Sequence, residues 1–301
     1  MKIDLSINRE ILAVVTLDHA GLMVAKSAAT LALKSHRRLR LVTVCDESQF
    51  SDRTESGTAD ALHQLGLFVD NGIDVRSSVI DGRYPSALLE LASAHQSILM
   101  VVGQRAGSPE AFNHMVELMA GASMPVLVIP ETTERFAYDP SGLLNILIAD
   151  DLTDSSAAAI ECLTDFIHAL CLPVNALHVH VEPVEVMSFA LSPDYELKVW
   201  PQLGVRDRGL DIRYEKIKKT LRSRSSSLLE TIDECGGSYH AELWHGDVLQ
   251  ELNRAALDHR ASIVVFGKHH TIHKHPFAFG QMDYQKMLGL NRPIMMAPDP
   301  I

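Results

Sequence analysis

The sequence predicts two tandem α/β sandwich domains, each a doubly wound, mainly parallel five-stranded sheet with helices on both faces. Three observations predict it. The 301 residues give length for two domains, at about 150 residues each. Continuous apolar runs alternate with stretches of helical periodicity, which is how βαβ units read. The pattern is also written twice. Gly82 to Gly103 and Gly246 to Gly267 span the same number of positions, and so do His95 to Gly103 and His259 to Gly267.

The elements follow in order. The apolar run 11–17, ending at Asp18, reads as a strand covered on both faces. Leu22, Ala25, Ala29, Ala32 and Leu33 then fall on one helical stripe. Strands are expected at 39–45 and 74–80, and a helix from near Pro85 carrying Leu88, Leu91 and Ala92. A strand ending in Gly103, a last helix and the Pro-led strand 125–130 close the first copy. The polar segment 131–142, with Pro140, reads as a linker between domains at 1–131 and 143–301. The second copy opens with the strand 144–149 running into Asp150 and Asp151, and its helix carries Ile160, Leu163, Ile167 and Leu170. Thr153 or Asp154 suits that helix as N-cap. Strands at 175–181 and 238–244 follow, then a helix from Asp247 bearing Val248, Leu252, Ala255 and Ala256. The strand ending in Gly267, a last helix and the Pro-led strand 293–298 complete the repeat.

The copies differ in length. Asp18 to Gly103 is 85 positions and Asp151 to Gly267 is 116, so the second copy is longer by 31. The surplus is placed at 182–211, which holds Pro183, Pro193 and Pro201 with Phe189, Tyr195 and Trp200. A loop of that length reads either as a lid over the sheet's carboxyl edge or as a flap that contacts a protein partner.

Composition excludes several function classes. Lys plus Arg is 27 against 38 for Asp plus Glu, a net charge of −11. Such a surface repels phosphate backbones, so general nucleic-acid binding is not expected. One small anion held by backbone dipoles remains compatible with it. Residues 1–10 show no secretory pattern and no apolar run reaches a membrane-spanning length, so a soluble cytoplasmic chain without membrane contact is expected. Cys45, Cys162, Cys171 and Cys235 form no C-x-x-C pair and read as reduced thiols.

In an open parallel sheet, ligands bind beyond the carboxyl ends of the strands where strand order reverses. In the second copy that rule points to Asp151 and Gly267, after which come His270, Gly280 and Gln281. Those residues, in that order, resemble the nucleotide motif of the universal stress protein family. That motif is glycine, two residues, glycine, nine residues, glycine and a hydroxyl residue, with an acid ending the first strand. Here His270 replaces the middle glycine and Gln281 the hydroxyl. Glycine is needed where backbone N–H groups must close on phosphate oxygens. His270 therefore either tolerates the strained turn and offers a hydrogen bond, or marks a pocket that has lost its nucleotide. Gln281 can still donate from its amide. In the first copy Gly103 is followed by Ala106 and Val116 at the glycine positions, so no triphosphate site is expected there. Asp18 and Arg105 then read as loop-end residues.

The resemblance covers both domains and points to the UspE-like two-domain members of the UspA superfamily, with their adenine nucleotide alpha-hydrolase-like fold. It implies a stress-response or survival role, with ATP, AMP or a similar small anion bound in the second domain by Asp151, Gly267, His270, Gly280 and Gln281. It also implies an intrachain pseudo-dimer in which the Pro-led strands 126–129 and 294–297 pair, giving each edge its cover. Further homodimerisation is left open.

Two rivals remain. A ligand-free interaction module would have both pockets degenerate and recruit its partner through 182–211. A metal-dependent hydrolase would use His178, His180, His269, His270, His273 and His275, since imidazoles on one strand face and at a neighbouring strand's end could converge. No H-E-x-x-H accompanies them, and no metal is expected. No G-x-S-x-G elbow, G-x-x-x-x-G-K-[ST] loop or G-x-G-x-x-G turn occurs. Binding rather than turnover is expected, with weak ATP hydrolysis at most.

Overall fold

The computed structural model describes residues 10–45, 55–69, 72–104, 109–131, 142–170, 172–182, 208–267, 287, 290 and 292–298. The first half runs β1 (Glu10–Val14), α1 (His19–Ser35), β2 (Arg38–Cys45), α2 (Glu55–Val69), β3 (Val75–Asp81), α3 (Ser86–Ala94), β4 (Leu99–Gly103), α4 (Pro109–Gly121) and β5 (Val126–Ile129). The second runs β6 (Leu144–Ala149), α5 (Asp154–Leu170), β7 (Val174–Glu182), α6 (Arg208–Arg224), α7 (Ser226–Glu234), β8 (Ser238–His245), α8 (Val248–Asp258), β9 (Ile263–Phe266) and β10 (Ile294–Met296).

The strands form one ten-stranded sheet in the order β3-β2-β1-β4-β5-β10-β9-β6-β7-β8. Each half contributes five strands, parallel throughout, and the halves meet where β5 and β10 run antiparallel. There Val128 faces Ile294, Leu127 faces Met295 and Val126 faces Met296. Pro125 and Pro293 precede these strands, a position where a missing N–H costs little. The expected pairing of the two Pro-led strands is thus present, and it converts two edges into interior strands.

Alternation along each strand builds two cores. Ile11, Ala13, Leu39, Leu41, Ile146, Ile148 and Val265 face the helices α1, α2, α5 and α7. Leu12, Val42, Met100, Leu147, Val179, Val264 and Phe266 face α3, α4 and α8. Burying one such Leu or Ile contributes about 1.5–3 kcal/mol. That is why the strand segments read as unbroken apolar runs. A smaller cluster sets Ile217 and Leu221 of α6 on Ala241 and Leu243 of β8. Across the junction, the Arg37 guanidinium donates to the Ala169 carbonyl in the last turn of α5, a group with no partner inside its own helix.

The sequence reading stops short in the crossovers. Helices α2, α6 and α7 lie between the second and third strands of their halves, where no helix was predicted. The β2–β3 crossover is residues 46–74 and the β7–β8 crossover 183–237, so the longer copy does carry its surplus there. Yet Glu182 ends β7 and residues 208–211 open α6, so the expected loop at 182–211 is too wide at both ends. Residues 183–207, with the aromatics 189, 195 and 200, lie outside the described residues. Among the described residues, no helix is long and apolar enough to cross a membrane.

Candidate functional site

Strand order reverses between β9 and β6 in the second half, so the crevice lies over their carboxyl ends. Asp151 stands just past β6 and Gly267 just past β9. The Asp151 carboxylate Oδ1 accepts from Thr153 N at 3.1 Å and from Thr153 Oγ1 at 2.6 Å, a turn that pins the loop into α5. At Gly267 a β-carbon would lie 2.4 Å from the Ser155 carbonyl oxygen and 2.9 Å from Ser156 N. These are backbone atoms that cannot step aside, so only glycine fits. The structure therefore brings Asp151 and Gly267 to the two sides of one crevice. His270, Gly280 and Gln281 lie outside the described residues.

Strand register corrects the alignment of the two copies. Val15 N donates to Val42 O at 2.8 Å, and Asp150 N donates to Val179 O at 2.9 Å. Val15 is therefore the counterpart of Asp150, Thr16 of Asp151, and Asp18 of Thr153. Asp18 caps α1, accepting from Gly21 N at 2.9 Å and from Thr16 Oγ1 at 2.5 Å. The sequence reading matched Asp18 with the Asp150–Asp151 pair because both follow an apolar run. Residues 15–17 extend that run beyond the strand and hide the offset. The first half thus has threonine where the second has Asp151. Val116 lies in the interior of α4, away from a phosphate-facing helix start. Residues 105–108, with Arg105 and Ala106, lie outside the described residues.

Beneath Asp151 the second half contains a polar network that the sequence reading missed. Asp150 is 0% exposed. Its Oδ2 accepts from His178 Nε2 at 2.9 Å and Arg224 Nε at 3.1 Å, while Oδ1 accepts from Ser156 Oγ at 2.5 Å and Leu152 N at 2.6 Å. Burial pushes its carboxyl up, but the His178 hydrogen bond and charge, with Ser156 and Arg224, outweigh burial and hold it at about 2. Arg224 also donates to the carbonyls of Leu152 and Thr153 and to Ser156 Oγ. It thereby clasps a loop in which Leu152 takes a left-handed φ of 64°. His178 Nδ1 meets Tyr239 Oη at 2.8 Å and Ser225 Oγ at 2.9 Å. Burial pushes the Tyr239 phenol up to about 12, Ser225 acting against it and the Asp150 charge with it. The corresponding first-half residues are Val15, Leu41 and Val75, so a plain apolar patch has become polar.

Ser225, His178 and Asp150 line up as nucleophile, base and orienting acid would. All three are 0% exposed, so no substrate reaches the hydroxyl, and the alignment is architectural. His180, on the same strand face, donates from Nδ1 to the Asp150 carbonyl at 2.7 Å. In the neutral ring this leaves Nε2 as an acceptor at the carboxyl edge. The idea of converging metal-binding imidazoles does not fit His178, whose nitrogens are both engaged. Among the described residues no group of three or more His, Cys, Asp or Glu could hold a metal ion. His269, His270, His273 and His275 lie outside them. The adjacent aspartates and His178 on its strand were the sequence signals for the network. Its partners Arg224 and Tyr239 sit far away in sequence, Tyr239 on the predicted strand β8 and Arg224 on α6, a helix the periodicity did not reveal.

Comparison with known proteins gives the fold a name. No family model matches the chain, and no curated protein matches it. Solved structures do. A universal stress protein from Archaeoglobus fulgidus DSM 4304 superposes with TM-score 0.57 at 12% identity, covering 96% of each chain. A putative universal stress protein from Pseudomonas aeruginosa UCBPP-PA14 gives 0.57 at 16% identity, covering 97% of this chain and 93% of the other. A functionally unknown protein from Pseudomonas aeruginosa PAO1 gives 0.57 at 16%, covering 97% and 92%. At these identities the likeness concerns the fold: the chain has, along its whole length, the tandem α/β architecture of universal stress proteins.

Proposed function

We propose that the chain is a nucleotide-binding universal stress protein that acts by binding rather than turnover. Its second half takes an adenine nucleotide such as ATP or AMP at the carboxyl edge of the sheet, in a stress-response role. The observation that carries this reading is the meeting of Asp151 and Gly267 at the strand-order reversal, with Thr16 in place of the acid in the other half. A carboxylate accepts hydrogen bonds and repels phosphate, so Asp151 is assigned to the hydroxyls or amine of a nucleoside. His180 Nε2 offers a second acceptor nearby. By the resemblance of their sequence motif, Gly280, His270 and Gln281 are assigned to the phosphates.

The test is a thermal shift with ATP and with AMP on the full chain. Ligand at about 100 Kd stabilises by about 2.7 kcal/mol. Asp151→Asn is expected to weaken binding about tenfold, worth about 1.4 kcal/mol, and Gly280→Trp to abolish it. An unshifted melting temperature with both nucleotides refutes the reading. A ligand-free interaction module has one observation in its favour: the Ser155 backbone alone already demands glycine at 267, with or without a ligand. That reading gains if both nucleotides fail and a partner is retained that depends on residues 183–207.

A further inference from the structure

The crossover helices α6 and α7, absent as such from the first half, form one bent rod. Ser225 N donates to Leu221 O at 3.1 Å and Leu229 N to Ser225 O at 2.8 Å, so helical bonding continues across the junction. Ile217, Leu221, Leu228 and Ile232 form its buried stripe. At 1.5 Å per residue the rod is about 40 Å long.

Its charges are segregated. Within a chain of net charge −11, α6 carries Arg208, Arg213, Lys216, Lys218, Lys219, Arg222 and Arg224 against Asp211 and Glu215. Helix α7 carries Glu230, Asp233 and Glu234 and no cation. Lys219, Arg222, Glu230, Asp233 and Glu234 are exposed, as is Ser226 between the two groups. Lys218 is half-buried, its ammonium 4.6 Å from the Tyr214 ring centroid. Among the described residues, Lys218, Lys219, Arg222, Glu230, Asp233 and Glu234 form no salt bridge, whereas Arg224 is turned inward to Asp150.

The arrangement is symmetric about Ser226. Arg222 and Glu230 lie four positions either side of it, Lys219 and Asp233 seven, Lys218 and Glu234 eight. Four, seven and eight are the spacings that keep side chains on one helix face. A second rod laid antiparallel across the first, with the two-fold axis at Ser226, would set Arg222, Lys219 and Lys218 opposite Glu230, Asp233 and Glu234, twice over. The small serine at the centre lets the helices approach. A two-fold interface of this kind joins the same patch on both subunits. A nucleic acid or an anionic membrane fits less well, because the α7 half of the same face repels it.

We propose that the exposed face of the α6–α7 rod is the contact of a homodimer, two copies of this chain meeting antiparallel about Ser226. The face is ionic and has no large apolar anchor, so the dimer belongs to the weak, salt-sensitive class. Neither the nucleotide nor its site takes part.

Sedimentation velocity of the full chain tests it. Dimerisation is expected at low salt and to weaken at least about tenfold between about 0.05 M and 1 M salt, where the screening length falls to about 3 Å. The triple variant K218E/K219E/R222E and the triple variant E230K/D233K/E234K should each be monomeric alone and form a 1:1 heterodimer when mixed. Ser226→Cys, an exposed and mild change, should give a disulfide-linked dimer under oxidation at low salt, above the background of the wild-type cysteines. A monomeric wild type at low salt, a dimer indifferent to both charge reversals, or a Ser226→Cys variant that cross-links no more than wild type overturns the proposal.

Discussion

Asp150→Asn tests the buried network most directly. Asp150 is fully buried, and each carboxylate oxygen accepts two hydrogen bonds. The asparagine oxygen can replace Oδ1 towards Leu152 N and Ser156 Oγ. Its amide then faces His178 Nε2–H and Arg224 Nε–H, donor against donor. Removing one partner of a buried ion pair costs about 3–5 kcal/mol, much of it from the cation left uncompensated. The pH dependence carries an independent signature. The carboxyl is held at about 2 against an ordinary value of 3.8. A depressed folded-state value means the stabilisation is complete above pH 4 and is lost as pH falls towards 2. At 1.36 kcal/mol per unit the loss is about 2 kcal/mol. Urea unfolding followed by circular dichroism at pH 7, and then stepwise from pH 5 to pH 2, measures both. The gap between wild type and variant should be about 3–5 kcal/mol at pH 7 and narrow by about 2 kcal/mol on acidification. A variant within about 1 kcal/mol of wild type at pH 7, or a gap that ignores pH, would show that the network does not hold the charge as argued.

Three further outcomes follow from the same geometry. Gly267→Ala drives a methyl into the Ser155 backbone and should cost about 1–3 kcal/mol or more. Gly103→Ala meets only a Val24 methyl at 3.0 Å, which can give, and should cost less than about 1 kcal/mol; paired thermal melts compare them. Rewriting the network in the first half's residues (Asp150→Val, His178→Leu and Tyr239→Val, with Arg224→Met) removes donors and acceptors together. It should leave stability within about 1 kcal/mol of wild type or above it in urea unfolding, while raising hydrogen exchange at 151–156. Cys162, pushed up to about 12 by burial with Asp165 adding to it, should resist thiol reagents at pH 8 until the chain unfolds, as mass spectrometry of labelled protein will report.

What the sequence discloses depends on which force writes it. Strands buried on both faces leave predominantly apolar runs, so residues 144–149, interrupted by Asn145 alone, were readable to the residue. Helices with a strong apolar stripe against the sheet, such as α5, were readable too. Helix α6 was not, because its stripe is narrow and cations crowd the rest. The site divided the same way. Asp151 and Gly267 follow from a rule about strand ends, which local pattern can satisfy. The clasp of Arg224 on Leu152 and Thr153 joins residues 71 and 72 positions apart. No local pattern records such a distance. The misplaced equivalence of Asp18 arose because hydrophobicity marks a run but not its register, and register needs the partner strand.

The two halves differ beneath the sheet's carboxyl edge, and the physical reason lies in what each can tolerate. A polar network under a sheet gives up apolar packing that Val15, Leu41 and Val75 retain in the first half. That loss is acceptable where the sheet continues through β5 and β10 into a second, conventionally packed half. In return, the Asp150–Thr153 loop is held from below by Arg224 in a conformation that a leucine at φ 64° would not keep unaided. The first half has no such strained residue between β1 and α1, and its acid there caps the helix. Strain and its restraint occur together, on the one loop that carries an acid to the strand-order reversal. Under the proposed function, that shape is what aims the Asp151 carboxylate at its ligand.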